Sequence, residues 1–427
     1  MEKARFEKIP VDIVVYGLAG AVTFPYSYKG KEASVGWEVN QVSDVSIAGR
    51  EKQIVWIGRN QDLDSQVTFR NPCEFINGSN LIAIPGFVDS HTHLVYSGSR
   101  SDEFEARVKG KTYLEILSAG GGILNTVANV RKCPEEELFR LSKERVTRMI
   151  ECGTTTVEIK SGYGLDLTTE LKILQVIGRL KKELPIEIVS TFMGAHAIPE
   201  EFKFNPEKFV SEICKTWIPE ISRQNLAEFI DVFIENKAFS VEQARKILEC
   251  GKSYGLKLKA HVDEINVIGG LDLTIEMGAV SADHLLKTEK HGISKLSGSS
   301  VIPTLLPGTS TFLMETRHAN AREMISAGLP VAIASDYNPG SCQFFSPGMI
   351  QSLAMLQLKL NAGEALIAGT LHGAFALDRG WVTGAIEIGK RMDLALLDLP
   401  SFRDIGYRVG WNPVRHVIAS GKIVKLK

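Results

Sequence analysis

The stretch Leu81-Ile-Ala-Ile-Pro-Gly-Phe-Val-Asp-Ser-His-Thr-His-Leu94 decides how the rest of the chain is interpreted. It begins as an apolar run, is interrupted by Pro85-Gly86, and ends on two histidines spaced i, i+2. Residues at this spacing point to the same face of an extended strand, so His91 and His93 present two imidazoles side by side. Neutral imidazole is the commonest protein ligand of metal ions, and a pair of loop histidines without any ligand is the ordinary alternative. The rest of the chain must decide whether these histidines bind a metal ion or are ordinary loop residues.

The composition is that of an ordinary globular protein. The 427 residues suffice for one large domain or two, with 44% hydrophobic residues, 23% charged residues and a net charge of -1. No basic excess would attract nucleic acid or an anionic membrane, and no apolar run approaches the roughly 18 residues of a membrane span. The six cysteines are scattered without a C-x-x-C pair, which is typical of reduced thiols. We therefore expect a cytoplasmic protein without nucleic-acid or membrane partners.

Both ends of the chain have the pattern of short β-strands between turns. The predicted strands are 12–16, 44–48 and 53–57 near the start, and 385–389, 393–398 and 416–426 near the end. Neither end alone supplies enough strands to bury a core face, so we predict that residues 1–80 and 386–427 together build one small β-sandwich. The apolar run at 11–24 is interpreted as its first strand rather than as a signal peptide, because Asp12 opens the run and glycines interrupt it.

Between these ends, residues 81–385 alternate strand and helix patterns. Seven predicted strands follow the opening stretch, at 154–159, 186–193, 229–235, 256–261, 279–284, 300–306 and 330–336. Segments such as 135–151, 167–184 and 241–254 are apolar at i, i+3, i+4 and predict helices. Eight βα units over this length predict a (β/α)8 TIM-type barrel. A doubly wound open sheet is the alternative, but no G-x-G-x-x-G opens the first helix, and polar residues recur at nearly every strand end.

These polar residues collect at the predicted carboxyl ends of the strands, where TIM barrels carry their active sites. His91 and His93 end the first strand, His261 ends the fifth and Asp336 ends the eighth. Three imidazole nitrogens and one carboxylate oxygen leave one position of a metal ion open, which is typical of a catalytic rather than a structural site. The sequence therefore predicts that these four residues bind one metal ion, and that His91 and His93 are a ligand pair.

Two more strand-end residues are predicted to act with this ion. Glu264, three residues after His261, is interpreted as the group that carries a proton between water and a substrate nitrogen. A rim carboxylate in a surface loop is the alternative. His284 is interpreted as a catalytic residue that orients or deprotonates the nucleophile, together with Asp336. Its neighbour Asp283 is expected to point to the opposite face and to make a structural contact.

Several longer motifs resemble a known enzyme family. PGFVDSHTH (85–93), HVDE (261–264), ADH (282–284) and SDYNPGS (335–341) are similar to the mononuclear branch of the amidohydrolase superfamily. More specific motifs resemble the imidazolonepropionase family across nearly the whole chain: HTHLVYSGSR (91–100), GKTYLEIL (110–117), GTTTVEIKSGYGL (153–165), STFMGAHAIP (190–199) and LLPGT (305–309). The resemblance implies a hydrolase that opens the ring amide of 4-imidazolone-5-propanoate with water. The product is N-formimidoyl-L-glutamate, in L-histidine degradation.

The resemblance also assigns residues. It places the ligands of one divalent metal ion, zinc or iron, at His91, His93, His261 and Asp336. It places substrate contacts at Arg100, Tyr163, His196, Glu264, Asn338, Gly340 and Ser341. Arg100 suits a propanoate tail, because a planar guanidinium binds a carboxylate through two hydrogen bonds, and Tyr163 or His196 adds a neutral one. A surface salt bridge is the alternative for Arg100. The resemblance further implies a homodimer.

Two other functions remain open at this point. A mononuclear-metal aminohydrolase of the cytosine or guanine type shares the metal layout, although a neutral heterocycle gives no reason for Arg100 and Tyr163. A non-catalytic relative that kept the barrel is the other, and the intact ligand set argues against it. Binuclear relatives carry a bridging carboxylated lysine at the end of the fourth strand, which here is Ile-Glu-Asn at 234–236. Lys160 and Lys237 are therefore interpreted as ordinary charged loop residues.

Overall fold

The structure is a computed structural model that describes residues 7–24, 37–111, 115 and 121–424, so most of the motif at 110–117 lies outside the described residues. Its strands form two sheets of eight strands each within these ranges. In chain order they are β1 (Ile9–Thr23), β2 (Asn40–Arg50), β3 (Gln53–Arg59), β4 (Val67–Asn77), β5 (Ile82–Pro85), β6 (Phe87–Asp89), β7 (Thr154–Lys160), β8 (Glu187–Ala195), β9 (Phe229–Phe233), β10 (Lys257–Val262), β11 (Ser281–His284), β12 (Ile302–Leu305), β13 (Ala332–Ile333), β14 (Leu394–Leu397), β15 (Val414–Ala419) and β16 (Lys422–Val424).

Both ends of the chain meet in one mixed sheet, in the order β16-β15-β14-β5-β1-β2-β3, with β4 paired to β1. The long strand β1 organises it by pairing antiparallel with β2 and parallel with β4 and β5. Successive side chains of β1 point to opposite faces, and both faces are covered, with Val15 and Val14 in different apolar clusters. The predicted association of the two chain ends is confirmed. The division into domains at residues 80 and 386 stays a prediction.

Two strand assignments near this sheet were wrong. Residues 82–85 were counted with the barrel, but β5 pairs with β1 and β14 of the smaller sheet. The opening stretch therefore serves both sheets, with Gly86 between β5 and β6. Residues 385–389 were predicted as a strand and form turns and bends instead. Gly389 has a φ of +93°, a left-handed conformation that ends an extended run and that glycine adopts readily.

The second sheet is a barrel of parallel strands. Strands β6 to β13 pair with their neighbours in chain order. The ring closes between its first and last strands by a parallel bridge of Thr92 to Tyr337. The backbone hydrogen bonds from His93 to Tyr337 and from Asp336 to His91 measure 3.0 Å each. The predicted (β/α)8 barrel is confirmed, and the doubly wound alternative is excluded because an open sheet leaves its edge strands unpaired.

Helices surround the barrel and pack apolar faces on its strands. The three helices predicted at 135–151, 167–184 and 241–254 begin where expected and end within one residue of the prediction. Asp166 and Ser240 cap the second and third of them by accepting a hydrogen bond from the backbone three residues on. Within the described ranges, no helix is both long and apolar enough to cross a bilayer. The α-helices are Leu63–Gln66, Ser101–Val108, Ile123–Lys132, Glu135–Glu151, Leu167–Glu183, Pro206–Glu212, Ile218–Arg223, Val241–Ser253, Gly270–Glu276, Lys290–Ser297, Pro307–Phe312, Ala321–Ser326, Pro347–Gln357, Ala362–Ile367, Gly373–Phe375 and Asp404–Tyr407.

Candidate active site

Three histidines meet inside the barrel at the carboxyl ends of its strands. The Nε2 atom of His93 lies 3.2 Å from Nε2 of His91 and 3.3 Å from Nε2 of His261. All three rings are buried, and their ligand nitrogens lie within 4.8 Å of one another. Three nitrogens held about 2.0–2.1 Å from one ion at tetrahedral angles stand about 3.3 Å apart. The observed spacing therefore fits a metal ion.

Two carboxylates fix which ring nitrogen of His91 and of His261 faces the centre of the histidine cluster. Nδ1 of His91 donates to Asp283 at 2.7 Å, and Nδ1 of His261 donates to Asp231 at 3.0 Å. With the proton held on Nδ1, each ring turns the lone pair of Nε2 towards the same point. Lone pairs gathered there repel one another unless a cation lies between them. This donor set is the carboxylate–histidine arrangement that orients metal ligands, so the residues present fit a divalent ion.

Asp336 completes the predicted ligand set. Its Oδ1 atom lies 3.5 Å from Nε2 of His91 and 3.7 Å from Nε2 of His93. Its Oδ2 atom accepts a hydrogen bond of 2.6 Å from the hydroxyl of Thr309. The backbone of Asp336 is left-handed, with a φ of +52°, as it is at several other non-glycine residues of the described chain. The structure thus brings together all four residues that the sequence predicted as ligands.

Burial sets the protonation of these groups. Desolvation, assisted by the nearby positive charge of Lys160, lowers the pKa of His91, His93 and His261 well below the ordinary histidine value. The neutral imidazole that results is the form that binds metal ions. Desolvation also raises the pKa of Asp336 to about 7, and a cation beside it would favour its carboxylate form.

Glu264 and His284 face each other beside this cluster. Oε2 of Glu264 lies 3.6 Å from Nε2 of His284, whose ring centroid lies 5.0 Å from that of His261. Burial, followed by the nearby charge of Asp336, raises the pKa of Glu264 to about 8. Burial lowers the pKa of His284 to about 4. At neutral pH the carboxyl can therefore hold a proton and the imidazole can accept one, which suits proton transfer to a ligand. A cavity lined by both residues opens beside them.

Arg100 is the predicted anchor for a carboxylate tail. Its guanidinium is mostly buried and is paired with Glu103 through hydrogen bonds of 3.0 Å from Nε and 2.7 Å from Nη2. A side chain at position 340 would collide with the guanidinium, because a Cβ built on Gly340 stands 1.8 Å from Nη1. The structure therefore brings Arg100 against the predicted contact Gly340. Glu103 holds one edge of the guanidinium. Because the pair is mostly buried, it is not the surface salt bridge that was the alternative interpretation of Arg100.

Tyr163 and His196 lie beside His93, and the His196 ring centroid lies 6.1 Å from that of His261. The ring of His196 stacks on that of His93, with centroids 4.8 Å apart, and the Tyr163 centroid lies 5.9 Å from His93. Nδ1 of His196 lies 3.2 Å from the carbonyl oxygen of Gly162, which fixes the ring. Burial lowers the pKa of His196 to about 4. Both rings are therefore neutral hydrogen-bonding groups next to the cluster.

Asn338, Gly340 and Ser341 form the turn that follows Asp336. The side-chain oxygen of Asn338 accepts hydrogen bonds of 2.8 Å from the backbone of Gly340 and of Ser341. Its side-chain nitrogen donates to the backbone oxygen of Asp336 at 2.7 Å. The side chain of Asn338 thus shapes this turn. This turn places Gly340 against Arg100 and holds Asp336 in its left-handed conformation.

Comparison with known proteins agrees with this geometry. The model of the amidohydrolase family matches residues 82–424. An imidazolonepropionase of Alkaliphilus oremlandii is 44% identical over 97% of this chain and 98% of its own length. An imidazolonepropionase of a Geobacillus species (strain WCH70) is 45% identical over 91% of each chain. This chain belongs to the amidohydrolase family and, within it, to the imidazolonepropionase family.

Solved structures share the fold of this amidohydrolase at much lower sequence identity. A guanine deaminase of E. coli covers 97% of this chain and 99% of its own, with 15% identity and a TM-score of 0.73. An adenosine deaminase of Xanthomonas campestris with bound zinc covers 98% and 94%, with 16% identity and a TM-score of 0.72. These likenesses concern the fold alone. The deaminase neighbours are therefore more distant than the imidazolonepropionase relatives.

Sequence reasoning placed Asp283 and Lys160 of this amidohydrolase wrongly. Asp283 was expected to face away from His284, but both side chains reach His91, Asp283 through a hydrogen bond and His284 with its ring centroid 5.5 Å away, because the left-handed backbone of His284, with a φ of +77°, takes His284 out of the strand alternation. Lys160 was interpreted as a loop residue, but it is the last residue of β7 and is fully buried. Lys237 is exposed, as expected.

Two buried glutamates were missed altogether. Glu170 accepts backbone hydrogen bonds from Gly162 at 3.0 Å and from Gly164 at 2.7 Å, and so clamps the turn that carries Tyr163. Glu235 accepts backbone hydrogen bonds from residues 265 and 266, at 3.0 and 2.9 Å, just after Glu264. Glu170 lies in the first turn of a predicted helix and Glu235 ends a predicted strand, so each had a positional signal but no partner visible in the sequence.

Proposed function

We propose that the chain hydrolyses the ring amide C–N bond of 4-imidazolone-5-propanoate to give N-formimidoyl-L-glutamate, a step of L-histidine degradation. The observation that carries this proposal is the 44% identity to a named imidazolonepropionase over 97% of the chain. The site supports it, since a buried donor set for a metal ion lies beside two proton-carrying groups and a guanidinium. The reaction consumes one water and releases no ammonia.

We propose further that one divalent ion, zinc or iron, is held by His91, His93, His261 and Asp336. Both metals accept imidazole and carboxylate ligands, so the donor set does not select between them. When bound, such an ion lowers the pKa of a coordinated water towards ~7 and polarises a carbonyl group. The support for a single ion is the convergence of three neutral nitrogens and one carboxylate oxygen on one point.

The residues of the chain then move the protons. Asp336 accepts the proton of the attacking water, whose oxygen bonds to the ring carbonyl carbon. His284, which faces Glu264, orients the water and stabilises negative charge on the carbonyl oxygen by hydrogen bonding. Glu264 gives its proton to the ring nitrogen as the C–N bond breaks, and it recovers a proton from Asp336. The balance is one water added across one amide bond.

We propose that the propanoate tail lies on Arg100, with Tyr163 and His196 adding neutral hydrogen bonds. Glu103 occupies Nε and Nη2 of the guanidinium, so Nη1, which lies against Gly340, faces the turn that Asn338 and Ser341 shape. The lack of a side chain at Gly340 is what lets the guanidinium lie against this turn, since a Cβ there would stand 1.8 Å from Nη1. The substrate-binding residues are therefore Arg100, Tyr163, His196, Glu264, Asn338, Gly340 and Ser341.

Replacing Arg100 by Met is expected to raise KM about 10- to 100-fold with a smaller change in kcat, because hydrogen bonds to a charged group are worth about 1.5–3 kcal/mol. Steady-state kinetics would measure both constants. The matched control is Arg107→Met, since Arg107 lies on the same helix, Ser101–Val108, and among the described residues its hydrogen bond goes to the backbone carbonyl of Phe312 at 3.5 Å. Equal KM values in the two variants would contradict the assignment.

The proposed function is tested by following the ultraviolet absorption of 4-imidazolone-5-propanoate with purified protein, before and after dialysis against a chelator. We expect loss of substrate that stops after chelation and returns when zinc or iron is added back. The same protein should release no ammonia from guanine, cytosine or adenosine. If the protein released ammonia from guanine, cytosine or adenosine and left 4-imidazolone-5-propanoate unchanged, the result would instead support the aminohydrolase alternative.

We also propose that the enzyme is a cytoplasmic homodimer without nucleic-acid or membrane partners. The support is the resemblance to a family of dimers, the net charge of -1 and the six cysteines, none of which is in a disulfide. Light scattering after size-exclusion chromatography should give about twice the 46.9 kDa of one chain. A mass of one chain at micromolar concentration would refute the dimer.

A further inference from the structure

A layer of charged side chains lies directly beneath the histidine cluster. Five strand residues form it, and each is fully buried, with no exposed surface. They are Glu158, Lys160, Asp231, Lys259 and Asp283. Barrel interiors are normally filled by branched apolar side chains, so the composition of this layer is unusual.

Stability alone does not explain such a layer. Desolvating an ion costs several kcal/mol, and replacing buried ion pairs by apolar residues of similar volume is often neutral or stabilising. The layer holds three carboxylates against two ammonium groups, so it is not balanced internally. What distinguishes it from a structural network is that two of its carboxylates, Asp231 and Asp283, reach the rings of the candidate metal ligands.

Lys160 lies where both of these carboxylates can be held at once. Its Nζ atom is 2.8 Å from Oδ2 of Asp231 and 3.6 Å from Oδ2 of Asp283. The other oxygen of Asp231 accepts from His261, and Oδ2 of Asp283 accepts from His91. One ammonium group therefore connects two ligand-orienting carboxylates that lie on different strands, β9 and β11.

Lys160 remains charged in this position. Burial by itself would lower the pKa of Lys160, but the carboxylates of Asp231 and Glu158 outweigh the burial, and the pKa is raised. Glu158 also lies 2.8 Å from the same ammonium. The charge needed to hold Asp231 and Asp283 is thus present at neutral pH.

We propose that Lys160 is a positioning residue that sets the affinity of the metal site, by holding Asp231 and Asp283 so that His261 and His91 keep Nε2 turned to the centre. The inference deepens the proposed function and rests on the metal site of that proposal. Partners of metal-bound histidines typically contribute 10- to 100-fold to metal affinity. Lys160 would exert its effect through two such partners.

The chain offers a matched control in Lys259, the second fully buried lysine of the layer. Its Nζ atom donates to the backbone oxygens of Ser90 at 3.0 Å and Ala376 at 3.4 Å. It lies 3.5 Å from Glu158 and 3.7 Å from Asp283, nearly as close to Asp283 as Lys160 is, but it makes no ion pair with Asp231 among the described contacts. Removing Lys259 therefore costs the fold a buried charge of the same kind without freeing the partner of His261.

The test compares Lys160→Met and Lys259→Met after the metal has been stripped by a chelator. Zinc is titrated into each protein in competition with a chromogenic chelator, and thermal unfolding of the metal-free proteins is followed by circular dichroism. We expect Lys160→Met to weaken zinc binding about 10- to 100-fold and Lys259→Met to weaken it by a clearly smaller factor, because only Lys160 pairs with Asp231, with both variants less stable than the parent. Unchanged zinc affinity in Lys160→Met, or equal losses in both variants, would overturn the proposal.

A second pair of variants covers the case in which Lys160→Met does not fold. Glu158→Gln with Lys160→Met removes one charge of each sign and is compared with Glu158→Gln alone, because Glu158 contacts neither His91 nor His261 through any described hydrogen bond. We expect the double variant to lose zinc affinity at least tenfold relative to Glu158→Gln alone. If the parent protein itself binds no zinc or iron, the proposed metal site fails together with this inference. If the parent binds and the variants bind equally, only the inference fails.

Discussion

Glu264→Gln is expected to lower kcat by about 10²- to 10⁴-fold, the range associated with loss of a general acid or base. The amide has nearly the shape of the carboxyl group but cannot give up a proton to the ring nitrogen as the C–N bond breaks. Metal content should remain that of the parent, because Glu264 lies against His284 rather than among the four ligands. Steady-state kinetics with metal analysis of the same sample would measure both quantities.

The control for this prediction is Glu315→Gln. Glu315 lines the same cavity as Glu264, but it is half-exposed and pairs with Lys287 at 3.4 Å at the edge of the cavity. It should therefore retain kcat within about threefold, since an exposed ion pair contributes little. Near-normal turnover of Glu264→Gln would remove the proton-transfer role. A similar loss in Glu315→Gln would show that any change of charge in this cavity suffices.

The convergence of the four proposed metal ligands was predictable because two strong regularities coincide. The i, i+2 spacing puts His91 and His93 on one face, and parallel barrels gather their strand ends at one rim. His261 and Asp336 follow from the second regularity alone, once the alternation of strands and helices is recognised. No distance between strands is needed, because a closed ring brings every strand end to the same opening.

The layer beneath the ligands could not be predicted in the same way. Barrel strands are buried on both faces, so the alternation that separates inside from outside in an exposed sheet carries little information for Lys160. Asp283 was misplaced for a different reason, the left-handed backbone at His284. The signal that was available is the presence of charged residues inside apolar strands, such as Asp231 in Phe-Ile-Asp-Val-Phe. Such residues must find partners, because buried unpaired charges are costly.

The opening stretch also shows where sequence patterns stop being decisive. Its first half is an apolar run like that of any barrel strand, yet β5 belongs to the smaller sheet and β6 alone enters the barrel. Gly86 separates them, and a Cβ built there would stand 2.2 Å from the side chain of Thr155 on β7. Only glycine permits the close approach at which the chain passes from one sheet to the other. The pattern identified a break at Pro85-Gly86 but not the change of sheet.

Asp336→Asn is expected to lower kcat/KM by at least about 10³-fold and to weaken metal binding as well. The substitution removes the negative charge 3.5 Å from His91 that we propose as a metal ligand and as the acceptor of the proton of water. The shape is conserved, and the amide oxygen can still accept the hydrogen bond from Thr309. The loss should therefore come from charge and basicity rather than from packing.

The chain supplies a close structural match for this experiment in Asp263. It is buried at the end of β10, has a left-handed backbone with a φ of +53°, and accepts a hydrogen bond of 2.7 Å from the hydroxyl of Thr288, as Asp336 does from Thr309. It differs in forming no described contact with a histidine of the cluster. Asp263→Asn should therefore keep metal content and kcat/KM within about threefold of the parent. If the two variants have equal thermal stability and lose metal content and kcat/KM to a similar extent, the proposed roles of Asp336 as ligand and base are contradicted. Asp336 would then act only by supporting the local fold.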